Sequence, residues 1–348
     1  MIRVQNVYYM LAYAFQVLHE QGYKNVATEE FDNVAELLSA ILCRGVSVQI
    51  KRGLIRQYIS REEALASPRG KLEIGESIKT QVIRKKQLIC NYDEFSVDAY
   101  PNRIIKTTMD LLLRGSISKA RKKEIRKLMI FFDGISILDI HSINWDIQYD
   151  RNNQTYRMLI AVCRFVIKGL LQTTADGSTK IMDYADDQTM AKLYEKFILG
   201  YYQREHPELK AYSPQIAWQV TDGYRTLLPT MQSDIVITNK AAKKTLIIDA
   251  KYYTHNMQMK ASYMTQTLHS GNLYQIFTYV KNKEAENWSA APDEVVSGML
   301  LYAGTDDAIQ PNNDYQMSGN QISVKTLDMD CDFSKIAAQL DSIADRIK

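Results

Sequence analysis

A chain of 348 residues is long enough for two domains, each with a substantial core. Its formal net charge of +3 is too small to argue for a nucleic-acid partner by itself, and four widely spaced cysteines (Cys43, Cys90, Cys163, Cys331) make neither a zinc pattern nor a necessary disulfide framework. The opening residues lack a signal-peptide apolar region and no apolar run approaches membrane-spanning length, so the expectation is a soluble cytoplasmic protein without membrane association.

In chain order, the stripe Val4, Val7, Tyr8, Leu11, Phe15, Leu18 predicts a helix over residues 7–21, with Asn6 as N-cap and Gly22 as stop. Tyr8, Tyr9 and Tyr13 read as core, with a partner surface as the competing reading. A second helix is expected over 32–43, ending before Gly45. Strands at 46–50 and 54–59 would follow, joined at Lys51-Arg52-Gly53. Ser67-Pro68-Arg69-Gly70-Lys71 reads as a basic turn. The full pattern Gly-x-x-x-x-Gly-Lys-Ser/Thr occurs nowhere, so no P-loop nucleotide site is expected in this chain. Asp98-Ala99-Tyr100-Pro101 signals a helix start. Beyond it, Arg114, Lys119, Arg121, Lys122, Lys123, Arg126 and Lys127 stand against Glu124 alone. That run reads as well as a face for DNA phosphates or an acidic partner as it does as a solvated helix face. Residues 158–171 form an apolar helix, and Thr173-Thr174-Ala175-Asp176-Gly177-Ser178 is the linker candidate, dividing the chain into 1–173 and 179–348.

The second part opens with a helix over 189–203 that carries Glu195, and Gln215-Ile216-Ala217-Trp218-Gln219-Val220 follows. Residues 228–237 and 245–253 then read as strands, joined by a polar connection short enough for a hairpin. Antiparallel pairing brings Asp234 beside Asp249, and the period-two alternation of a strand puts Asp249 and Lys251 on one face and Ala250 on the other. Among Ile247, Ile248, Tyr252 and Tyr253, two carboxylates are costly unless paired or metal-bound. A hard cation such as Mg2+, held by Asp234 and Asp249, relieves their repulsion. Lys251 would orient or deprotonate a water, or steady charge on a phosphate. The chemistry implied is metal-assisted phosphodiester hydrolysis; the competing reading is an edge hairpin with a solvated Asp–Lys pair. Glu195 is a third carboxylate for positioning water, or else an exposed helical residue. A helix over 272–280 sets Gln275 and Tyr279 on one ridge, where they would hydrogen-bond a scissile strand; the competing reading is a core Tyr279 and a surface Gln275. Strands at 296–302 and 322–325 and a closing helix over 334–347 complete a mixed-sheet α/β domain.

Asp234, then Asp249-Ala250-Lys251, then Gln275-x-x-x-Tyr279 resembles the PD-(D/E)xK nuclease superfamily, in the branch that also carries a Gln-x-x-x-Tyr helix. The proline of the name is displaced: Pro229 lies several residues upstream and Ser233 is adjacent to Asp234. Val7-Tyr8-Tyr9-Met10-Leu11-Ala12-Tyr13-Ala14-Phe15, Asn102-Arg103-Ile104-Ile105-Lys106, Leu193-Tyr194-Glu195-Lys196-Phe197, Leu227-Leu228-Pro229-Thr230-Met231 and Ser270-Gly271-Asn272-Leu273-Tyr274-Gln275 are, in that order, similar to the McrC family of restriction nuclease subunits. The resemblance implies a two-part chain. An α+β N-terminal domain (1–173) would dock on and stimulate a hexameric McrB-like AAA+ GTPase, with the aromatic first helix and the turn around Arg69 as contact candidates. A nuclease domain (179–348) would cleave modified, methylcytosine-containing double-stranded DNA, with Mg2+ on Asp234 and Asp249, catalysis by Lys251, and support from Glu195, Gln275 and Tyr279. Reading of the modified base would fall mainly to the partner. A non-catalytic GTPase activator and a stand-alone end- or structure-specific nuclease are the competing functions.

Overall fold

Apolar side chains recur every three or four residues from Val4 to Tyr13, and in the computed structural model this stretch is helix α1 (Val4–Ala14). The structure describes residues 2–15, 31, 33–149, 154–176, 187–260, 265–291 and 293–348. After α1 come α2 (Val34–Arg52), β1 (Gln57–Leu65), β2 (Lys71–Leu72), α3 (Ile74–Lys79), β3 (Leu88–Ser96), α4 (Tyr100–Arg114), α5 (Lys119–Met129) and α6 (Gln154–Asp176). The chain continues through α7 (Asp187–Glu205), β4 (Gln215–Ile216), β5 (Met231–Gln232), β6 (Ile235–Asn239), β7 (Lys244–Lys251), β8 (Gln258–Lys260) and β9 (Thr265–Thr267). It closes with α8 (Ser270–Ala290), β10 (Val295–Ala303), β11 (Asn313–Met317), β12 (Asn320–Leu327) and α9 (Phe333–Asp345).

Met1–Leu37 and Asp176–Lys348 form one unit, and Leu38–Ala175 form the other. A single cut between 173 and 179 therefore misses where the first residues go. They return to the C-terminal body because α1 is an aromatic helix with aromatic partners there. The Tyr13 ring lies 5.9 Å from Phe197 and 5.3 Å from Tyr201, and its hydroxyl donates to Glu205 at 2.9 Å. Tyr9 stacks on Phe333 at 4.1 Å. A Cβ at Gly200 would overlap the Tyr13 carbonyl, so the glycine permits the two helix backbones to touch. Asn6 is not the cap that its position suggested. The helix starts three residues earlier than expected, at Val4, and the Asn6 amide donates instead to the Met329 and Cys331 carbonyls, at 2.8 Å each. The expected end of this helix, at residues 16–22, lies outside the described residues.

The main sheet of this unit has the order β11-β12-β10-β7-β6. β7, β10 and β12 run parallel, with antiparallel β6 and β11 at the edges. That is the mixed α/β sheet expected. Strands buried on both faces need helices on both. α8 covers one face, where Ile276 and Val280 pack with Ile247, Leu300, Tyr302 and Val324. α7 lies against β6 and β7 and α9 against β12; Tyr202 donates to the Leu340 carbonyl and Tyr201 to Asp341. β11 was not foreseen, being polar and half exposed as an edge strand. Within 215–220 only Gln215–Ile216 is strand, β4. α8 starts ahead of Gly271 and runs well past Val280.

In the second unit the strand expected at 46–50 is helix. Ser47 donates to the Cys43 carbonyl one turn back, Val46 and Gln49 continue the buried stripe, and α2 passes through Gly45. Its stop is Gly53, at φ +93, the left-handed conformation a helix C-terminus requires. α6 likewise extends through Thr173 and Thr174 to Asp176, so most of the expected linker is helical, and Gly177 and Ser178 lie outside the described residues. β1, β3 and β2 form an antiparallel sheet. α5 buries Ile125 and Leu128 and turns Lys119, Lys123, Arg126 and Lys127 to solvent. All four cysteines are buried and none is in a disulfide, with Cys43 and Cys163 in the core as expected. Among the described residues no helix is long and apolar enough to cross a membrane.

Asp98 anchors this unit. Its carboxylate accepts from Arg103 Nε and a terminal guanidinium nitrogen at 2.9 and 2.8 Å, and from the Ser136 N–H and hydroxyl at 2.7 and 3.0 Å. Burial alone raises its pKa, but the Ser136 and Arg103 donors outweigh burial and hold it below the ordinary carboxylate value. A depressed folded pKa contributes stability that is present above the unfolded value and lost as pH falls through the folded one. Asp98→Ala is expected to destabilise the protein by about 2–4 kcal/mol in urea unfolding at neutral pH, with the difference from wild type shrinking as the pH drops below the carboxylate range.

Candidate active site

The site is built at the open end of the β6–β7 hairpin. Ile235 lies opposite Ile248 and Val236 opposite Ile247; carried one residue further, that register sets Asp234 beside Asp249. The strand breaks at Ser233, and Asp234 uses its carboxylate in place of a ladder bond, accepting the Ala250 N–H at 2.8 Å. Asp249 sits on β7, an internal strand flanked by β6 and β10, and is 1% exposed. The Lys251 ammonium reaches to 2.7 Å from Asp249 Oδ2 as an ion pair.

Lys251 is held from its other side. It donates to Gln275 Oε1 at 3.0 Å; the Gln275 amide donates to the Tyr279 hydroxyl at 2.8 Å; that hydroxyl donates to the Gln232 carbonyl at 3.0 Å. The Gln275–Tyr279 ridge therefore faces the sheet, with Tyr279 buried and Gln275 turned onto Lys251. Gln232 was not foreseen as part of the site. It contributes only a backbone oxygen, and a sequence carries no sign of which carbonyl a buried phenol will find. Asn272 was also passed over. One turn before Gln275, it accepts from Tyr253 at 3.2 Å and donates to Tyr302 at 3.0 Å, and Tyr302 is the β10 neighbour of Lys251.

Burial dominates the electrostatics. It drives the Asp234 carboxyl up to about 8, with Asp249 and Glu195 adding to the rise. Burial raises Asp249 too, against the pull of Lys251. The two aspartates titrate as a pair. For Lys251, burial favours the neutral amine, but Asp249 and Asp234 outweigh it, so the side chain stays charged at neutral pH. Glu195 is half-buried on α7, raised first by desolvation, and feels the charges of both Lys251 and Asp249. All six sequence candidates thus act on one another at one place.

Among the described residues no three His, Cys, Asp or Glu side chains are grouped closely enough to hold a metal on their own. The pair Asp234 and Asp249 nonetheless fits a hard divalent cation. Both are oxygen donors that burial makes reluctant to carry charge, and they stand side by side with the Lys251 ammonium as ion-pair partner of Asp249. Cations of the Mg2+ type take one or two protein carboxylates and complete their shell with water and phosphate oxygens.

A family model described as McrBC 5-methylcytosine restriction system component matches residues 3–302. The type IV methyl-directed restriction enzyme EcoKMcrBC of Escherichia coli (strain K12) is 28% identical over 352 residues, spanning 99% of this chain and 97% of that protein. Two solved assemblies also align. A half-complex of Thermococcus gammatolerans McrB AAA+ hexamers with bound McrC matches at TM-score 0.45 and 16% identity, over 96% of this chain and 76% of that one. The Thermococcus gammatolerans McrBC complex matches at TM-score 0.40 and 19% identity, over 58% of each chain.

The raised Asp234 carboxyl has a consequence for stability. A carboxyl whose folded pKa lies above its unfolded value costs the fold stability as pH climbs between the two. In EDTA, Asp234→Asn is expected to melt about 2 °C or more above wild type at pH 8, and level with it near pH 4. Adding a divalent cation at pH 8 should raise the wild-type melting temperature and leave the variant unmoved. A variant that melts below wild type in EDTA at pH 8 would count against the desolvated pair.

Proposed function

The chain belongs to the McrBC 5-methylcytosine restriction system component family, and from this premise we propose that it is the DNA-cleaving subunit of such a system. In this reading it is a Mg2+-dependent endodeoxyribonuclease of PD-(D/E)xK type, acting in the cytoplasm on modified double-stranded DNA together with a hexameric McrB-like AAA+ GTPase. One observation carries the nuclease assignment: Asp249, almost fully buried, faces Asp234 across the hairpin end and is ion-paired to Lys251. Structural ion pairs do not need a second carboxylate forced alongside; phosphodiester hydrolysis does.

The roles divide by chemistry. Asp234 and Asp249 would hold the divalent cation, which supplies Lewis-acid neutralisation of the phosphate charge when bound. Lys251, kept cationic by its neighbours, acts on the phosphate oxygens as charge builds there, and is the wrong protonation state for a base. Gln275 fixes the ammonium, and Tyr279, anchored on the Gln232 carbonyl, fixes Gln275. Glu195, a carboxylate with elevated proton affinity, accepts a hydrogen bond from the attacking water. As the water oxygen bonds to phosphorus its proton passes to Glu195, and one ester P–O bond breaks, its electron pair leaving on the sugar oxygen, which takes up a proton from solvent water. That the Escherichia coli relative is a methyl-directed restriction enzyme supports modified DNA as the substrate, with the modification read mainly by the partner. The division of labour we propose gives partner docking and GTPase stimulation to the N-terminal part and cleavage to 179–348.

The deciding assay is cleavage of methylated and unmethylated plasmid by this chain with its McrB-like partner, Mg2+ and GTP, with GTP turnover followed in the same reactions. Asp249→Ala should lower cleavage by about 10²-fold or more and leave GTPase stimulation intact. Gln275→Ala should lower the cleavage rate by about 10-fold, through the position of Lys251, with no effect on GTP turnover. Wild-type protein that stimulates GTP turnover and never cuts would be an activator with a vestigial site. Protein that cuts without partner or GTP would be a stand-alone nuclease.

A further inference from the structure

The charge of the chain is unevenly divided between its two units. Leu38–Ala175 holds 24 Lys and Arg against 13 Asp and Glu, a balance of +11. The remaining residues hold 19 against 27, a balance of −8. The +3 of the whole chain is what remains after these cancel. The unit that carries Asp234, Asp249 and Lys251 is therefore net acidic, and its long-range field repels a polyanion. A duplex brought to that unit needs its phosphates held by other residues.

The positive charge is densest on α5. Six of its 11 residues are Lys or Arg, and Glu124 is its one acid. Lys119, Lys122, Lys123, Arg126 and Lys127 recur at helical spacing, which sets them within about 140° of the circumference. Four of them are exposed and Lys122 is half-buried, while Ile125 and Leu128 face the core on the other side. Arg121 lies off this stripe and takes Glu124 at 2.6 Å. Among the described residues the five stripe side chains have no ion pair or hydrogen bond. The helix stands against its own electrostatics. Lys119 and Lys123, Lys122 and Arg126, and Lys123 and Lys127 are like charges four apart, and each such pair is destabilising. Its first turn has no acid, and the cations there oppose the positive end of the helix dipole. The Ser118 cap, accepting the Arg121 N–H at 3.1 Å, and the buried Ile125 and Leu128 hold it together. A polyanion laid along the stripe relieves every one of these repulsions.

We propose that the α5 stripe holds the phosphate backbone of duplex DNA while the C-terminal body cuts it, a proposal that rests on the nuclease reading above. From Lys119 to Lys127 the stripe rises about 12 Å. That length of duplex presents about seven phosphate charges, enough to meet all five cations. No apolar side chain interrupts the stripe, whereas a protein contact is built on an apolar centre depleted of charge. The exposed Ile130 and Phe131 follow the stripe and do not enter it. Contacts of this kind fix the duplex without reading bases, so α5 grips modified and unmodified DNA alike.

The test is fluorescence anisotropy of a labelled, unmodified DNA duplex with the full-length chain over a salt series. GTP turnover and plasmid cleavage are followed in parallel with the McrB-like GTPase. Lys123→Gln with Lys127→Gln removes two stripe cations. Arg84→Gln with Lys85→Gln, in the 3-10 turn between β1 and β3, removes the same charge from the same unit. All four positions are exposed, so unchanged melting temperatures will show that the fold survives. The stripe pair should weaken duplex binding about tenfold at low salt and reduce the slope of log affinity on log salt by about 2. Cleavage should fall in step, with GTP turnover in the absence of DNA unchanged. Lys123→Arg with Lys127→Arg should match wild type, because the charge and not the side-chain shape makes the contact. The Arg84 and Lys85 pair should bind the duplex as wild type does. An unchanged salt slope in the stripe pair overturns the proposal, as does an equal loss in both Gln pairs, which would assign binding to diffuse charge. So does a wild-type chain that fails to bind the duplex. Loss of GTPase stimulation with duplex binding retained would give α5 to the protein partner and overturn it as well. A chain that holds DNA through the stripe and never cuts overturns the nuclease reading instead, and is thereby distinguished.

Discussion

Two carboxyl groups held out of water at one hairpin end set the terms for the C-terminal body. β7 runs between β6 and β10, so a side chain at position 249 has no route to solvent along the sheet. Everything near it answers that constraint. Lys251 leans back along its own strand to meet the charge, and α8 lies where Gln275 catches the ammonium. Tyr279 spends its hydroxyl on holding Gln275, and the Gln232 carbonyl ends the series. Asn272, tied to Tyr253 and Tyr302, keeps the first turn of α8 from sliding along the strand ends. Each bond serves to keep an unfavourable pair in place, which is the usual form of a site that exchanges stability for chemistry.

The hairpin was legible because its signals are local. A polar connection of few residues and strict alternation define the pairing, and the pairing alone sets Asp234 by Asp249. The i,i+4 spacing of Gln275 and Tyr279 was equally plain, but not the direction in which they work. Whether the ridge meets a substrate or Lys251 depends on how α8 crosses the sheet, and that depends on contacts from β10 and β12, far along the chain. The failures in the second unit have a different origin. Gly45 and the β-branched Val46, Val48 and Ile50 spoke for a turn and a strand, and tertiary burial of the same residues overrode them. For α1, helical periodicity was visible, whereas its destination was encoded in aromatic residues about 190 positions or more downstream. The polar edge strand β11 carries too little apolar pattern to announce itself.

The return of α1 to the C-terminal body has a consequence for how the protein is made. The ribosome delivers this helix well before its partners: a carbonyl that takes the Asn6 amide belongs to Cys331, 325 residues later. Leu38–Ala175 closes through bonds within itself, from Arg103 to Asp98, five residues apart, to the Ile55 N–H and Tyr156, 101 apart, with the β1–β3 pairing between them. It can reach its native form during synthesis, while Tyr8, Tyr13 and Leu11 still await cover. A chain released before residues 329–348 are made lacks Met329, Cys331 and Phe333, and leaves the aromatic helix α1 uncovered. α1 thus reports on completion of the segment around 329–333: products truncated before it display a hydrophobic flag for chaperones and proteases.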